Sequence, residues 1–412
     1  MVITMKTRIC YLIPILFILF SCGNDDNSLP TEEKPINLSM ESKQMVLNDN
    51  QFGIEIFKRL IEADSAKNMM ISPLSMSQAL LMAYNGAGGQ TKTAFEEAMF
   101  LSGLTTAQIN QAKKDLVEEL LHVDPSVTLS VANSIWYREG FSVNPNFIKV
   151  NQDFYNAEVL EAPFDNTTVN LINSWVNDNT NGKIDKIIES IDPLAVMFLI
   201  NAVYFYGNWK YKFDEAYTVN SDFNLMGGAK ISTPFMNQQT TARFMRSDDF
   251  SLLEMPYGRG NFSMLIFLPH EDKSLNDIIN QLNVEDYYNW LSDLIEMTVD
   301  ISIPKFKFGY EKVLNDYLKA LGLSVAFDSQ NADFSEISDE MDLFISFVKH
   351  KSFIDVNEKG TEAAAVTIIG FETTSVPSYP QFIANRPFLF AIREKYTNSI
   401  LFMGQVVNPS ED

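Results

Sequence analysis

The chain has 412 residues, 46% of them hydrophobic, and a formal net charge of −22 at pH 7. Such a chain can bury a large core, while its acidic surface argues against nucleic-acid binding and against a polyanionic cofactor, since both ligands are negatively charged. Its two cysteines, Cys10 and Cys22, both lie near the start, so the body has neither a disulfide nor a thiol nucleophile.

The first segment has the layout of an export signal. Lys6 and Arg8 precede an apolar run over residues 11–20, which is too short to span a bilayer comfortably. A basic start, a short apolar stretch and small residues after it are typical of a cleaved leader. We therefore predict a signal peptide over residues 1–21.

The residues at the end of this leader resemble the bacterial lipobox: Leu19, Phe20, Ser21 and Cys22. That resemblance implies cleavage before Cys22 and acylation of its thiol, with more than one acyl chain, as stable anchoring requires. It implies an exported lipoprotein of a Gram-negative bacterium, held at the outer membrane or displayed on the cell surface. The anchor is then the only membrane contact.

The polar, acidic stretch over residues 22–42 contains Pro30 and Pro35 and predicts a flexible tether. Beyond it, residues 43–412 are interpreted as one domain. Helical spacing of apolar residues covers 43–63, and Ser72 followed by Pro73 predicts the start of a buried helix ending at Tyr84.

Further elements follow in mixed order. Thr105 and Gln108 form a capping-box pattern before a helix that ends at Leu121. Strand-like runs cover 127–137, 196–206, 254–257, 262–268, 299–303, 343–356, 388–392 and 400–407. Because helices and strands do not alternate regularly, the fold class is α+β.

Signals for an enzyme are missing from the sequence. The three histidines, His122, His270 and His350, have no metal-ligand spacing, and there is no Gly-x-Ser-x-Gly motif. We therefore expect no cofactor, no metal and no catalysis, which disfavours the alternative of an envelope lipoprotein enzyme.

Several segments, taken together in their order and spacing, resemble serpins. They cover residues 68–75, 173–184, 201–209, 344–365, 385–388 and 402–409, so that the resemblance extends from about residue 45 to 409. It implies a helix-rich domain with three β-sheets, an exposed reactive-centre loop at about 358–380, and a serine protease as partner. A monomer is expected.

The start of this loop resembles the hinge of inhibitory serpins: Glu358, Gly360, Thr361, Ala363, Ala364, Ala365 and Thr367. Because a strand buries every second side chain, an inward Thr361 places Ala363, Ala365 and Thr367 inward as well. None is charged and none is proline, so nothing opposes insertion into a sheet. Gly360 is interpreted as the pivot.

The implied activity is suicide inhibition, in which the cleaved loop enters the main sheet and the protease stays trapped as an acyl-enzyme. The alternatives left open are a non-inhibitory serpin acting as a surface binding protein and a cross-class inhibitor of papain-like cysteine proteases. The resemblance also implies residues that control opening of the main sheet, in the two regions known in serpins as the shutter and the breach. They are Ser72, Ser75, Asn201, His350 and Trp209.

The resemblance places the scissile residue about seventeen positions along when Glu358 is counted as one, which gives the bond Thr374–Ser375. Counting back from Pro387 instead ends near Val376, but Pro377 would then follow the bond, and most proteases reject proline there. The loop has no Lys or Arg between Lys359 and Arg386, so a trypsin-like enzyme is disfavoured. Thr374 suits an elastase-like or subtilisin-like pocket; Phe371 and Glu372 are the other candidates.

Overall fold

The computed structural model describes residues 32–339, 342–361 and 379–411. The helices are α1 Met40–Asp64, α2 Pro73–Tyr84, α3 Gly89–Ala98, α4 Thr106–His122, α5 Pro145–Tyr155, α6 Asn166–Asn179, α7 Leu275–Ile279, α8 Val284–Ser292 and α9 Asn315–Ala320. The strands are β1 Met69–Ile71, β2 Val127–Arg138, β3 Glu158–Ala162, β4 Met197–Asn208, β5 Val219–Asn224, β6 Lys230–Arg246, β7 Phe250–Tyr257, β8 Phe262–Pro269, β9 Ile295–Pro304, β10 Phe306–Val313, β11 Lys349–Val356, β12 Gly360–Thr361, β13 Gln381–Ile383, β14 Phe388–Glu394 and β15 Ile400–Val406.

Local chemistry fixes the ends of the early helices. Ser72 caps α2 by accepting a hydrogen bond from the Ser75 backbone N–H, and Pro73 occupies the first turn. Thr105 and Gln108 form the reciprocal capping box of α4. These predicted helix starts are confirmed, and α2 is buried on nearly its whole circumference.

One sheet has nine strands, in the order β1-β15-β14-β8-β7-β6-β9-β13, with β5 paired to β6. Its neighbours are antiparallel except β13, which runs parallel to β9. The predicted hairpin is present as β7 and β8, joined by a turn in which Gly258 and Gly260 adopt positive φ.

The remaining strands form a second layer that is divided in two. One part has four strands, β12-β4-β2-β3, and the other is the antiparallel pair β10-β11. Between this divided layer and the nine-stranded sheet lies one apolar core, which includes Phe205, Phe306 and Ile354. A separate apolar cluster holds α6 against the outer face of β4 through Phe198 and Ile200.

The helix-rich, three-sheet α+β architecture expected from the sequence is therefore confirmed. One strand was predicted too long: the strand expected over 343–356 begins only at Lys349. Leu343, Ile345 and Val348 still pack against the helical core, but their backbone has no paired strand among the described residues. A β-like pattern reports burial, and it does not report whether a partner strand exists.

The start of the body also differs from the predicted tether, which was drawn to residue 42. Helix α1 already begins at Met40, and Ile36 is buried. The Lys34 backbone N–H donates to Asn261 Oδ1 at 2.9 Å, and Asn261 Nδ2 donates to the Lys34 carbonyl at 2.7 Å. The segment from about Lys34 is thus part of the folded body.

Candidate functional site

The start of the predicted loop is docked between the carboxyl-terminal ends of β4 and β11, which are called their upper ends below. Gly360 and Thr361 form the short strand β12, which pairs antiparallel with Asn208 and Gly207 of β4. On its other side, Gly360 forms a bridge to Asn357, just after β11. These two residues therefore occupy the first positions of a strand between β4 and β11.

Gly360 is required there for two reasons. Its φ is +145°, a conformation that other L-residues rarely adopt. In addition, a Cβ at this position would overlap the backbone of Gly207, Asn208 and Trp209. The residue interpreted as a pivot is thus also a close-approach glycine, and only hydrogen fits between it and β4.

An aromatic pair holds the docked strand from the core side. Trp209 stacks on Tyr257 with ring centroids 4.4 Å apart, and its Nε1 donates to the Asn357 carbonyl at 2.9 Å. The Trp209 backbone N–H donates to the Lys359 carbonyl at 2.9 Å. Thr361 is buried, and its Oγ1 lies 2.9 Å from the Tyr257 hydroxyl, so Thr361 points inward.

Glu358 fixes the turn that precedes the docked strand. Lys305 Nζ lies 2.9 Å from one carboxylate oxygen, and the Thr218 hydroxyl donates to the other at 2.8 Å. Burial raises the pKa of Glu358, but hydrogen bonds from Lys305, from its own backbone N–H and from Thr218 outweigh burial, so that the pKa is lowered. At neutral pH the Glu358 carboxylate is therefore charged, and its contacts with Lys305 and Thr218 fix its position.

Below the docked strand, β4 and β11 do not pair with each other among the described residues. The upper part of this gap is narrow, with a free volume of about 40 Å³, and is lined by Val203, Phe205, Ser352 and Ile354 among others. The lower part widens to about 340 Å³. Its walls are mostly apolar; they include Leu80, Met197, Leu199, Leu343, Ile345 and Val348.

Burial differs between the two faces of β4. Phe198, Ile200 and Ala202 are buried on the outer face, whereas Met197, Leu199, Asn201 and Val203 on the inner face are only half-buried. The residues after α6 lie over this region, since Thr180 and Ile184 line the upper gap. The inner face of β4 is thus an incompletely covered surface.

A buried polar cluster lies where the narrow part meets the wide part. Ser72 Oγ donates to the Leu401 carbonyl at 2.7 Å, and the Ser72 backbone N–H donates to His350 Nε2 at 3.3 Å. The Ser75 hydroxyl donates to Asn201 Oδ1, and Asn201 Nδ2 donates to Asn133 Oδ1 at 2.7 Å. The cluster therefore links α2, β2, β4 and β11.

His350 is neutral in this cluster. Its side chain is buried, and desolvation lowers its pKa from 6.5 to about 4. With Nε2 accepting from Ser72, the neutral ring keeps its remaining proton on Nδ1. Protonation would leave a buried charge facing the Ser72 N–H donor, so acid conditions work against this contact.

The structure thus brings together Ser72, Ser75, Asn201 and His350 at one level of the gap and Trp209, Glu358, Gly360 and Thr361 at its upper end. Sequence reasoning missed Tyr257, Lys305 and Asn133, which contact these residues from distant parts of the chain. Tyr257 and Lys305 sit at the end of β7 and just after β9, and no local pattern marks them.

Several predicted residues lie outside the described residues. They are the lipidation site Cys22, the hinge positions Ala363, Ala364, Ala365 and Thr367, and the predicted bond Thr374–Ser375. Within the described ranges, no group of three His, Cys, Asp or Glu side chains is placed to hold a metal ion. No helix in the same ranges is long and apolar enough to cross a membrane.

Comparison with known proteins identifies relatives across almost the whole body. Residues 47–409 match the family model described as "Serpin (serine protease inhibitor)". Human Serpin B11 is 33% identical over 384 residues, covering 87% of this chain and 98% of the relative. Human leukocyte elastase inhibitor is 33% identical over 382 residues, covering 89% and 100%.

Solved structures agree with these matches. The thermophilic serpin tengpin in its native state superposes with a TM-score of 0.83 at 34% identity, covering 92% of this chain and 97% of tengpin. Human thyroxine-binding globulin in complex with its ligand superposes with a TM-score of 0.82 at 28% identity, covering 90% and 100%.

Proposed function

The chain belongs to the serpin family, and from that premise we propose that it inhibits serine proteases by inserting its cleaved loop between β4 and β11. The observation that carries this proposal is the divided sheet. The first two residues of the inserting strand are already paired with β4, while below them β4 and β11 are not paired with each other in the part of the chain that the structure describes. Space and backbone partners for a further strand are both present.

The proposed mechanism uses no catalytic residue of this chain. The target protease attacks the loop and forms an acyl-enzyme. The cut releases the loop, which continues β12 downward as a new strand between two edges. The attached protease is carried along, its oxyanion hole is distorted, and deacylation stalls. The intact state must then be protected by a kinetic barrier rather than by equilibrium stability.

The loop sequence supports an elastase-like or subtilisin-like target. With the register starting at Glu358, the bond is Thr374–Ser375, and the loop offers no basic residue to a trypsin-like pocket. One relative is named for inhibition of leukocyte elastase. Cleavage after Phe371, Glu372 or Val376 would indicate another protease class, and a papain-like target is the cross-class alternative.

We also propose that the protein is exported and anchored through lipid on Cys22, with no other membrane contact, and acts as a monomer at the outer membrane or cell surface. The leader pattern over residues 1–21 supports this. Metabolic labelling with a radioactive fatty acid should label the wild type and should not label Cys22→Ala. Equal labelling of both proteins would reject the anchor without affecting the inhibitor assignment.

Incubation with a panel of serine and cysteine proteases tests the inhibitory function. We expect a complex that survives denaturing electrophoresis, with mass spectrometry placing the new terminus after Thr374. Cleavage of the loop without any trapped complex would reject inhibition. It would favour a non-inhibitory binding protein, which is the role suggested by the name of thyroxine-binding globulin for that relative.

A further inference from the structure

A broad recess lies between the two described ends of the predicted loop. Lys359, at the start of the loop, and Gln381, just after its end, both line this recess. Its free volume is about 1050 Å³, which is larger than either part of the gap between β4 and β11. The recess is called the loop-base recess below, and its other lining residues lie within 212–219, 237–239, 300–302 and at Ile383.

The floor of the loop-base recess is one face of three neighbouring strands, β6, β9 and β13. Two rows of residues in register form this floor: Asn237, Ser302 and Ile383, then Gln239, Asp300 and Gln381. Residues directly opposite each other in a sheet share a face. Ile301 and Phe382 alternate with them along the strands and are buried in the core, so the floor is the outer face of the sheet.

One wall of the recess is the segment that leads into β5, and this segment also holds the start of the loop. The Phe213 backbone N–H donates to the Glu358 carbonyl at 2.9 Å, and the Thr218 hydroxyl donates to the Glu358 carboxylate at 2.8 Å. On the floor side, Asn237 Nδ2 donates to the Tyr217 carbonyl at 2.9 Å. The wall is therefore fixed to both the hinge and the sheet.

Three large apolar side chains in the recess are exposed. Tyr217 is 65% exposed, Val219 57% and Ile383 41%, and the floor around them is mostly uncharged and polar. An aromatic and aliphatic surface that is poor in charge and bordered by polar groups is typical of protein interfaces. Because so much of the lining is exposed, the recess does not enclose a small ligand as ligand pockets do. A protein surface could cover it.

The length of chain between the recess and the predicted bond indicates which protein that is. Gln381 lies six residues after Ser375, so the bond Thr374–Ser375 is at most about 20 Å from the recess. A domain of 200–250 residues has a radius of gyration of about 17 Å and is more than about 40 Å across. A protease that holds this bond in its active site therefore has the surface around that site within reach of the recess.

We propose that the loop-base recess is a docking surface for the body of the target protease, with Tyr217, Val219 and Ile383 as its apolar contacts. The inference rests on the proposed function, because that function supplies the protease. It adds a contact outside the loop. The loop is recognised by the active site, and the recess recognises the protease surface beside that site.

This contact would contribute to binding before the loop is cut. Tyrosine is among the residues that most often dominate the binding energy of an interface. The hydrogen bonds that hold Glu358 involve the backbone of Phe213 and the hydroxyl of Thr218, and not the side chains of Tyr217 and Val219. Docking and insertion therefore depend on different groups and can be changed separately.

The test compares four full-length proteins: the wild type, Y217A/V219S, I383S and the control V313S. Val313 is 51% exposed and pairs with Lys349 at the start of β11, whereas the hinge follows the end of β11. Binding is measured by surface plasmon resonance to leukocyte elastase and to subtilisin, each with its active-site serine replaced by alanine so that no cleavage occurs. The rate and the stoichiometry of trapping are measured with the active enzymes.

We expect Y217A/V219S to raise the Kd for the inactive protease at least about tenfold, as expected for the loss of a central tyrosine. I383S should raise the Kd less, and V313S should match the wild type. With the active protease, the rate constant for complex formation should fall by the same factor as binding. The stoichiometry of inhibition should not change, because the contacts of Glu358 are intact. All four intact proteins should melt alike, and if Y217A/V219S melts lower, I383S decides the test.

The outcomes separate the docking surface from the inhibitory function. Equal Kd and equal trapping rates in the wild type and the recess variants would overturn the docking surface and leave inhibition standing. Recess-dependent binding of the inactive protease, with simple cleavage by the active one, would support the docking surface and reject inhibition. If the wild type binds neither inactive protease, both are rejected.

The oligomeric state distinguishes a second occupant of the same surface. Sedimentation of the wild type and of Y217A/V219S should give a monomer in both cases. A wild-type dimer that dissociates in Y217A/V219S would assign the recess to a second copy of this chain and overturn the assignment to a protease.

Discussion

The two β-layers of this protein differ in how completely their strands are paired. In the nine-stranded sheet, each of the strands β15, β14, β8 and β7 has an antiparallel neighbour on both sides. The side chains of these strands are almost all buried. In the divided layer, β4 and β11 each have an edge toward the gap below β12 that no other described strand pairs with. Within the described ranges, the central strands of one layer are therefore paired on both sides, whereas the other layer has room for a further strand.

On the proposed function the intact protein stores free energy, and this difference assigns that free energy to the divided layer. Unpaired strand edges and a partly covered apolar face are costly features that a folded protein normally avoids. Among the described residues, the edges of β4 and β11 face each other across one gap, next to Gly360 and Thr361, which already pair with β4. We infer that the nine-stranded sheet supplies stability while the divided layer supplies the conformational change.

The largest expected effect comes from removing the aromatic support of the docked strand. Trp209→Ala deletes the stack on Tyr257 and the hydrogen bond to Asn357, and should lower the free energy of unfolding by about 3–5 kcal/mol. It should also expose residues 357–361 to rapid amide exchange. Denaturant unfolding combined with exchange mass spectrometry measures both effects.

Trp290→Ala is the matched control, because Trp290 packs beside Phe250 and Phe267 of the nine-stranded sheet. It should cost a similar free energy without faster exchange at 357–361. Equally fast amide exchange at residues 357–361 in both variants would contradict this prediction, because a change in the nine-stranded sheet would then loosen the docked strand as much as the loss of Trp209 does.

The next effect depends on pH and concerns the polar cluster. The unfolded chain binds a proton at His350 below its ordinary pKa of 6.5, whereas the folded chain does so only near 4. The unfolded state therefore holds more protons between these values, and the contribution of His350 to stability falls as the pH drops from 6.5 to 4, by about 3 kcal/mol.

His350→Gln should lose this part of the pH dependence in denaturant titrations, while the exposed His122→Gln should keep it. In the inhibition assay, His350→Ala should shift the outcome toward simple cleavage of the loop. An unchanged stoichiometry of inhibition would refute a gating role for His350.

Part of this picture could be predicted from the sequence because its causes are local. The Ser72 cap, the Thr105–Gln108 box and the hairpin before Leu268 depend on neighbouring residues, and all three are as predicted. The contacts of Tyr257 with Thr361 join residues 104 positions apart. Such contacts are decided by the packing of the whole chain, and so is the absence of a strand over 343–348.

A smaller effect is expected at the turn before the docked strand. Glu358→Gln keeps the acceptor for Thr218 but removes the charge that faces Lys305, and should cost about 1–2 kcal/mol at neutral pH. Because the folded pKa of Glu358 is lowered from 4.5, its contribution is present above that value and is lost as the pH falls through the folded pKa.

Urea unfolding at pH 7 and at pH 3 checks this prediction, since the difference between wild type and Glu358→Gln should shrink in acid. Glu311→Gln is the control: Glu311 is paired with Lys349 but is exposed, and such pairs contribute little. A cost at Glu358 no larger than at Glu311 would show that the turn is not anchored by its charge.

The smallest effect is expected at Thr361 itself. Thr361→Val keeps the branched shape but loses the contact with the Tyr257 hydroxyl, and should cost about 1 kcal/mol. Thr128→Val, at an exposed position of β2, should be close to neutral in the same unfolding experiment. A neutral Thr361→Val would mean that the inward contact does not hold the hinge.

Amide hydrogen exchange on β4 and β11, before and after the loop is cut, tests the central claim most directly. The gap-facing amides of residues 197–206 and 349–356 should exchange quickly in the intact protein and become strongly protected after cleavage, together with residues 362–371. Unchanged exchange in these three segments after a verified cut would contradict the account, because no strand would then have entered the divided layer.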